Sequence, residues 1–152
     1  MGDAIETYCY KCKKKQGPIF LGLGMIETDM QLPAYCPEHK RLLRTTLDNP
    51  FCKECSKEMI FVGKFCLLPR LYQPLPKTMV YNCGYDLPPG IIMKELIQKA
   101  NLSIFKKVLL LISKKAKEQY SVFLKIDLNN YYKCPECQSN NLLIKNQFIY
   151  WD

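Results

Sequence analysis

A small α+β fold, with two four-ligand metal sites standing in for part of its core, is what this chain predicts. Three observations carry that expectation. Seven of the nine cysteines and the only histidine fall into four pairs with two residues between partners: Cys9 with Cys12, Cys36 with His39, Cys52 with Cys55, and Cys134 with Cys137. The chain has 152 residues, of which 48% are hydrophobic, enough for one domain or two small lobes with a core of their own. Short apolar runs separated by Gly, Pro and Asn alternate with one segment, 104–119, in which apolar residues recur every three or four positions.

The pairs fix the chemistry. A short loop of the form C-x-x-C presents two thiolates to one ion, and zinc takes four ligands in a tetrahedron, so eight soft ligands in four pairs predict two Zn2+ ions. Sequential pairing is the expected arrangement. Cys9, Cys12, Cys36 and His39 would hold the first ion, and Cys52, Cys55, Cys134 and Cys137 the second. Two other arrangements stay open. In a cross-brace the first and third pairs share an ion, as do the second and fourth. In the other, Cys66 and Cys83 complete a site with Cys52 and Cys55. Cys66 lies in an apolar run and reads as a core residue, and Cys83 as a free thiol.

The elements follow in order. Residues 8–39 read as a first finger, with 19–21 and 22–26 as short strands and 40–47 as a short helix. Asp48-Asn49-Pro50 is a turn, which places a boundary between an N-terminal finger, 1–48, and a second zinc lobe, 49–152. Within that lobe 59–62 and 65–68 form a hairpin about Gly63-Lys64, 69–76 is a proline-rich linker, and 78–83 is a strand closed by a turn at 86–90. A helical insertion around 91–119 follows, with helices at 91–100 and 104–119 and Ser103 as the cap of the second. Ile104, Phe105, Val108, Leu109, Ile112 and Ala116 would face the core, with lysines on the other side. Residues 120–127 form a strand, 129–130 a turn, and 142–151 a closing strand or hairpin.

Charge narrows the partners. The net charge is +8, and residues 94–117 hold seven lysines against one glutamate. Lys106, Lys107, Lys114, Lys115 and Lys117 on the helical segment, with Lys13, Lys14 and Lys15 beside the first knuckle, are the candidate nucleic-acid contacts. Neutralising phosphates releases counterions, and Tyr131, Tyr132 and Phe148 are candidates for stacking on bases. Nineteen lysines against three arginines favour backbone contact over base reading. The longest apolar run, 108–112, is far too short to span a bilayer. With a short acidic start at 1–6, this predicts no membrane partner and a reducing compartment, cytoplasm or nucleus, or a virion. The Lys, Ile, Asn and Tyr bias suits an AT-rich genome such as a viral one.

Enzyme chemistry is not expected. A cysteine nucleophile needs a base, and the one histidine is spent as a ligand. A hydrolytic zinc would keep an open position, and Glu38 and Glu136 lie inside knuckles that already have four ligands.

The stretch from Cys9-Tyr10-Lys11-Cys12 to Cys36-Pro37-Glu38-His39 resembles a zinc-ribbon or treble-clef finger. Cys134-Pro135-Glu136-Cys137 looks like the knuckles of zinc ribbons in transcription machinery. The resemblance covers the knuckles alone and implies a zinc module used in nucleic-acid or protein contacts. The leading expectation is a non-enzymatic zinc-binding protein that binds nucleic acid or a nucleic-acid-bound complex, transcription-associated and viral. The alternative is a structural or adaptor protein, such as a virion component. The third is a RING-like ubiquitin ligase, which requires the cross-brace.

Overall fold

The structure, a computed structural model, describes residues 2–21, 29–84 and 91–149. The strand expected at 22–26, the turn at 86–90, the last two residues of the closing strand and the Phe148 side chain lie outside the described residues. The chain is mixed helix and strand, mostly β, and divides into two compact units. Unit 1 holds residues 1–62 and 127–152, and unit 2 holds 63–126. The boundary expected at 48 falls inside unit 1.

Unit 1 contains two sheets. In the first, β1 (Gly2–Cys9), β2 (Lys15–Leu21), β9 (Tyr131–Tyr132) and β10 (Leu142–Ile149) stand in the order β2-β1-β10-β9. β1 and β10 run antiparallel over their whole length, with Ile5 opposite Asn146, Thr7 opposite Ile144 and Cys9 opposite Leu142. Alternation along β1 turns Ile5, Thr7 and Cys9 to the same buried side, where Ile144 and Leu142 join them. β2 meets β1 with a register shift between Ile5 and Thr7. Gly17 sits there at φ +108, and a Cβ on it would stand 2.7 Å from the Ile5 carbonyl oxygen, so glycine is required.

The second sheet has the order β4-β3-β5, from β3 (Leu32–Cys36), β4 (Arg41–Thr45) and β5 (Ile60–Phe61). The helix expected at 40–47 is instead β4. Its residues find a full antiparallel partner in β3, from Leu32 opposite Thr45 to Cys36 opposite Arg41. Ladder hydrogen bonds outweigh the weak helix propensity of so short a segment. Without that helix the treble-clef order is lost.

Unit 2 carries β6 (Lys64–Pro69), β7 (Thr78–Asn82) and β8 (Tyr120–Asp127) in the order β6-β8-β7. The expected hairpin at 59–68 does not form. β5 pairs with β3, whereas β6 pairs with β8. The break between them is Val62-Gly63, with Lys64 already in β6, and it changes sheets rather than reversing within one. Gly63 has φ +113 and a Cβ there would lie 2.6 Å from the Lys125 carbonyl oxygen. The core of unit 2 gathers Val122, Phe123, Leu124, Ile126, Leu67, Met79 and Tyr81 from the sheet with Leu96, Ile97 and Leu110 from the helices.

The helices are α1 (Met93–Lys99), α2 (Ile104–Ile112) and α3 (Lys114–Lys117). Ser103 caps α2 as expected, its hydroxyl accepting from the Lys106 N–H. The helix expected to run to 119 breaks at Ser113, which is extended and caps α3 by accepting from the Ala116 N–H. The apolar residues of α2 expected in the core are mostly outside it. Leu110 is buried and Leu109 half-buried, while Ile104, Phe105, Val108 and Ile112 are exposed. Helical periodicity identifies an apolar face but not what it faces.

Candidate metal centres

Both four-ligand clusters lie in unit 1, and their composition differs from the sequential pairing. Cys9, Cys12, Cys134 and Cys137 come together in one, and Cys36, His39, Cys52 and Cys55 in the other, with the ligand atoms of each within 4.8 Å of one another. The first knuckle therefore joins the fourth, and the second joins the third. The cross-brace is excluded as well, and neither Cys66 nor Cys83 belongs to a cluster among the described residues. The Cys66 thiol points at the Phe123 carbonyl and the buried Cys83 thiol at the Tyr81 carbonyl.

The strands dictate this nesting. Cys9 ends β1, and the first knuckle turns β1 into β2. The fourth knuckle turns β9 into β10. Because β1 and β10 are neighbours, the two turns meet at one end of the sheet. The second centre repeats the design. Cys36 ends β3, its knuckle turns β3 into β4, and the third knuckle precedes β5, which pairs with β3.

All four knuckles share one backbone form. The residue after the second ligand is left-handed in each: Lys13 (φ 57°), Lys40 (φ 53°), Ser56 (φ 55°) and Gln138 (φ 57°). In three of them its N–H donates back to the carbonyl of the first ligand: Lys40 to Cys36, Ser56 to Cys52 and Gln138 to Cys134. Glycine most easily takes this conformation, and its absence at these positions leaves C-x-x-C or C-x-x-H as the whole sequence signal.

The distances test whether an ion fits. Zinc binds sulfur at about 2.3 Å and nitrogen at about 2.0 Å, so tetrahedral sulfurs stand about 3.8 Å apart and sulfur and nitrogen about 3.5 Å. In the first centre Cys9 Sγ is 3.6 Å from Cys137 Sγ, and Cys12 Sγ is 3.8 Å from Cys134 Sγ. In the second, Cys36 Sγ is 3.4 Å from both Cys55 Sγ and His39 Nδ1, and Cys52 Sγ is 3.6 Å from that nitrogen. These separations are far too long for disulfides, and none of the nine cysteines is disulfide-bonded. Both donor sets fit a tetrahedral ion such as zinc.

The surroundings favour thiolates at chosen positions. Backbone N–H groups of Cys55 and Glu54 pull the Cys52 thiol down to about 6. The Ser139 hydroxyl, with Oγ 3.1 Å from Cys137 Sγ, and the Ser139 N–H do the same for Cys137, also to about 6. Burial pushes its neighbour Cys134 up to about 12. A bound cation would remove that proton as well. Each centre rests on a small apolar cluster, Leu142 and Tyr132 beside the first and Ala34, Met59, Leu43 and Phe61 beside the second.

Ion pairs join the knuckles in the same way twice. Lys14 of the first knuckle pairs with Glu136 of the fourth, and Arg41, just past the second, pairs with Glu54 of the third. Glu54 also approaches His39 Nε2, at 3.6 Å, and so orients the imidazole whose Nδ1 faces the sulfurs. Glu54, Arg41 and Ser139 were not singled out from sequence. The signal for Glu54 was the third position of the knuckle, C-x-E-C, which it shares with Glu136.

The candidate basic contacts are divided. Lys14 is engaged with Glu136, and Lys15 with Glu6 at 2.8 Å, whereas Lys13 is exposed and makes no ion pair among the described residues. In unit 2, Lys107 donates to the Gln98 carbonyl at 2.6 Å. Among the described residues Lys106, Lys114 and Lys115 are exposed and make no ion pair, and Lys117 is exposed too. Tyr131 is exposed against Tyr10, and the Tyr132 hydroxyl is held by the Asp127 backbone. Comparison with protein families, characterised proteins and solved structures finds no match to this chain.

Proposed function

We propose that the chain is a non-enzymatic, zinc-stapled binding protein whose helical unit contacts nucleic acid. One observation carries this reading: the partition of charge between the units. Unit 1 has eleven basic and eleven acidic residues, whereas unit 2 has eleven basic and three acidic, so the whole +8 resides in the unit that holds neither ligand cluster found among the described residues. Zinc builds one half and the other half meets a polyanion. Ten of the eleven basic residues in unit 2 are lysines, which suits phosphate contact without base reading. Two closed sets of four protein ligands leave no position for substrate, which supports a structural role for the metal. The transcription-associated and viral settings rest on the knuckle resemblance and composition alone. The ubiquitin-ligase reading falls with the cross-brace.

Two measurements test the proposal. Elemental analysis should find two zinc ions per chain. Fluorescence anisotropy with short labelled DNA and RNA across a salt series should give log K falling linearly with log salt. The Lys106→Gln/Lys114→Gln/Lys115→Gln variant should flatten that slope by roughly two to three. An absence of binding at low salt would refute nucleic-acid contact.

A further inference from the structure

The apolar face of α2 has no use in nucleic-acid binding. With 100° between successive residues, Ile104, Phe105, Val108, Leu111 and Ile112 lie within an arc of about 120° on one side of the helix. Ile104 is 82% exposed, Ile112 75% and Phe105 74%, and Val108 and Leu111 are each nearly half exposed. Leu110, on the opposite side, is the buried residue of the helix. The small cavity beneath the helices is lined from that opposite side by Leu67, Met93, Ile97, Leu110, Lys117 and Tyr120. The exposed stripe is therefore a convex ridge. Five such side chains on one face make an apolar patch of the size that marks a site of interaction.

The charge around the ridge says what covers it. It stands on a unit of net +8, with Lys114 and Lys115 just beyond Ser113, both exposed. A second copy would bring +8 against +8. We propose that α2 lies on the surface of an anionic lipid bilayer, with the five apolar side chains among the upper acyl segments and the lysines at the headgroup phosphates and carboxylates. None of the five carries a hydrogen-bonding group, so the ridge has nothing with which to single out a specific polar partner. A convex apolar ridge with diffuse lysine charge suits a fluid surface, to which it adds buried area and electrostatic attraction together. No helix among the described residues is long and apolar enough to cross a membrane, but surface attachment needs no crossing. The expectation of no membrane partner rests on the short apolar runs and the acidic start at 1–6, neither of which bears on a helix that lies on a bilayer surface.

The test uses the full, metal-loaded chain and sedimentation with large unilamellar vesicles of phosphatidylcholine, alone or with 30 mol% phosphatidylserine, a composition on the order of an anionic leaflet. The expected result is binding to the anionic vesicles at least about tenfold tighter than to the neutral ones, weakening with salt. The variant Phe105→Ser/Ile112→Ser should lose about tenfold or more of that binding. Both positions are exposed, so circular dichroism and metal content should be unchanged, and so should DNA binding. That last arm separates this proposal from the nucleic-acid reading, whose failure would appear as lost DNA binding with intact vesicle binding. Three results would overturn the proposal: no binding to anionic vesicles at low salt, equal binding by the serine variant, or a wild-type dimer in sedimentation equilibrium that the serine variant makes monomeric. Binding of a folded acidic protein through the ridge, with no vesicle binding, would also overturn it.

Discussion

The carboxamide of Gln16 reaches from the first sheet of unit 1 to Leu42 in the second. Its Oε1 accepts from the Leu42 N–H at 2.6 Å, and its Nε2 donates to the Lys40 carbonyl at 3.2 Å. One β2 side chain thus satisfies the Leu42 N–H on β4 and the carbonyl of Lys40 just before that strand, next to the second knuckle. Gln16→Ala leaves the Leu42 N–H unpaired in a partly buried place. The expected cost is about 1–3 kcal/mol in urea unfolding, with little change in metal content. Loss of the second ion instead would mean that the clamp holds the centre itself.

Nested pairing predicts a specific pattern of thiol protection. In Cys134→Ser the partners of that centre, Cys9, Cys12 and Cys137, should become alkylated quickly, whereas Cys36, Cys52 and Cys55 stay protected. About one zinc per chain should be lost. Peptide mapping after brief iodoacetamide treatment reads this directly. Exposure of Cys52 and Cys55 in that variant would restore the sequential arrangement.

The four left-handed knuckle residues predict stabilising substitutions. A residue other than glycine in this conformation carries a strain of about 1–2 kcal/mol, and glycine gives back about half as extra freedom in the unfolded chain. Lys40→Gly, Ser56→Gly and Gln138→Gly should each therefore raise stability by up to about 1 kcal/mol by thermal or urea unfolding. Lys13→Gly should do the same without touching the Lys14 ion pair. Destabilisation at all four would show that the side chains contribute contacts that outweigh the strain.

Cys66 and Cys83 should be the thiols that remain when the metal centres are filled. Burial raises the Cys66 thiol above its ordinary range. Its thiolate fraction at pH 8 is thus lower than that of a free cysteine and grows only as pH rises further. Alkylation of Cys66 in the metal-loaded protein should be slower at pH 8 than that of glutathione and should accelerate beyond pH 9. A rate already flat at pH 8 would contradict the raised value.

How much of this could be read in the residues differs by level. Two-residue spacing named all eight ligands, because the knuckle is a local turn. It did not name the pairing, because that depends on β1 finding β10, with Cys12 and Cys134 separated by 122 positions. Apolar periodicity located α2, β7 and β8. It could not tell that Gly63 leads from one sheet to another, since a two-residue break between apolar runs looks the same in a hairpin. Nor could it tell that α2 turns its apolar face outward, since amphipathicity is a property of the helix and burial a property of its neighbours. The segment at 40–47 failed as a helix for a related reason: Cys36 ends β3, and the knuckle returns the chain directly alongside it.

The nested centres also impose an order of assembly. Cys36 and Cys55 lie 19 positions apart, whereas Cys9 and Cys137 lie 128 apart with all of unit 2 between them. A chain emerging from the ribosome can complete its inner centre and fold the helical unit while Cys9 and Cys12 still wait for their partners. The outer centre is thus a clasp fastened last, and zinc supplied late in synthesis would reach a protein with one site already made and half of another held open.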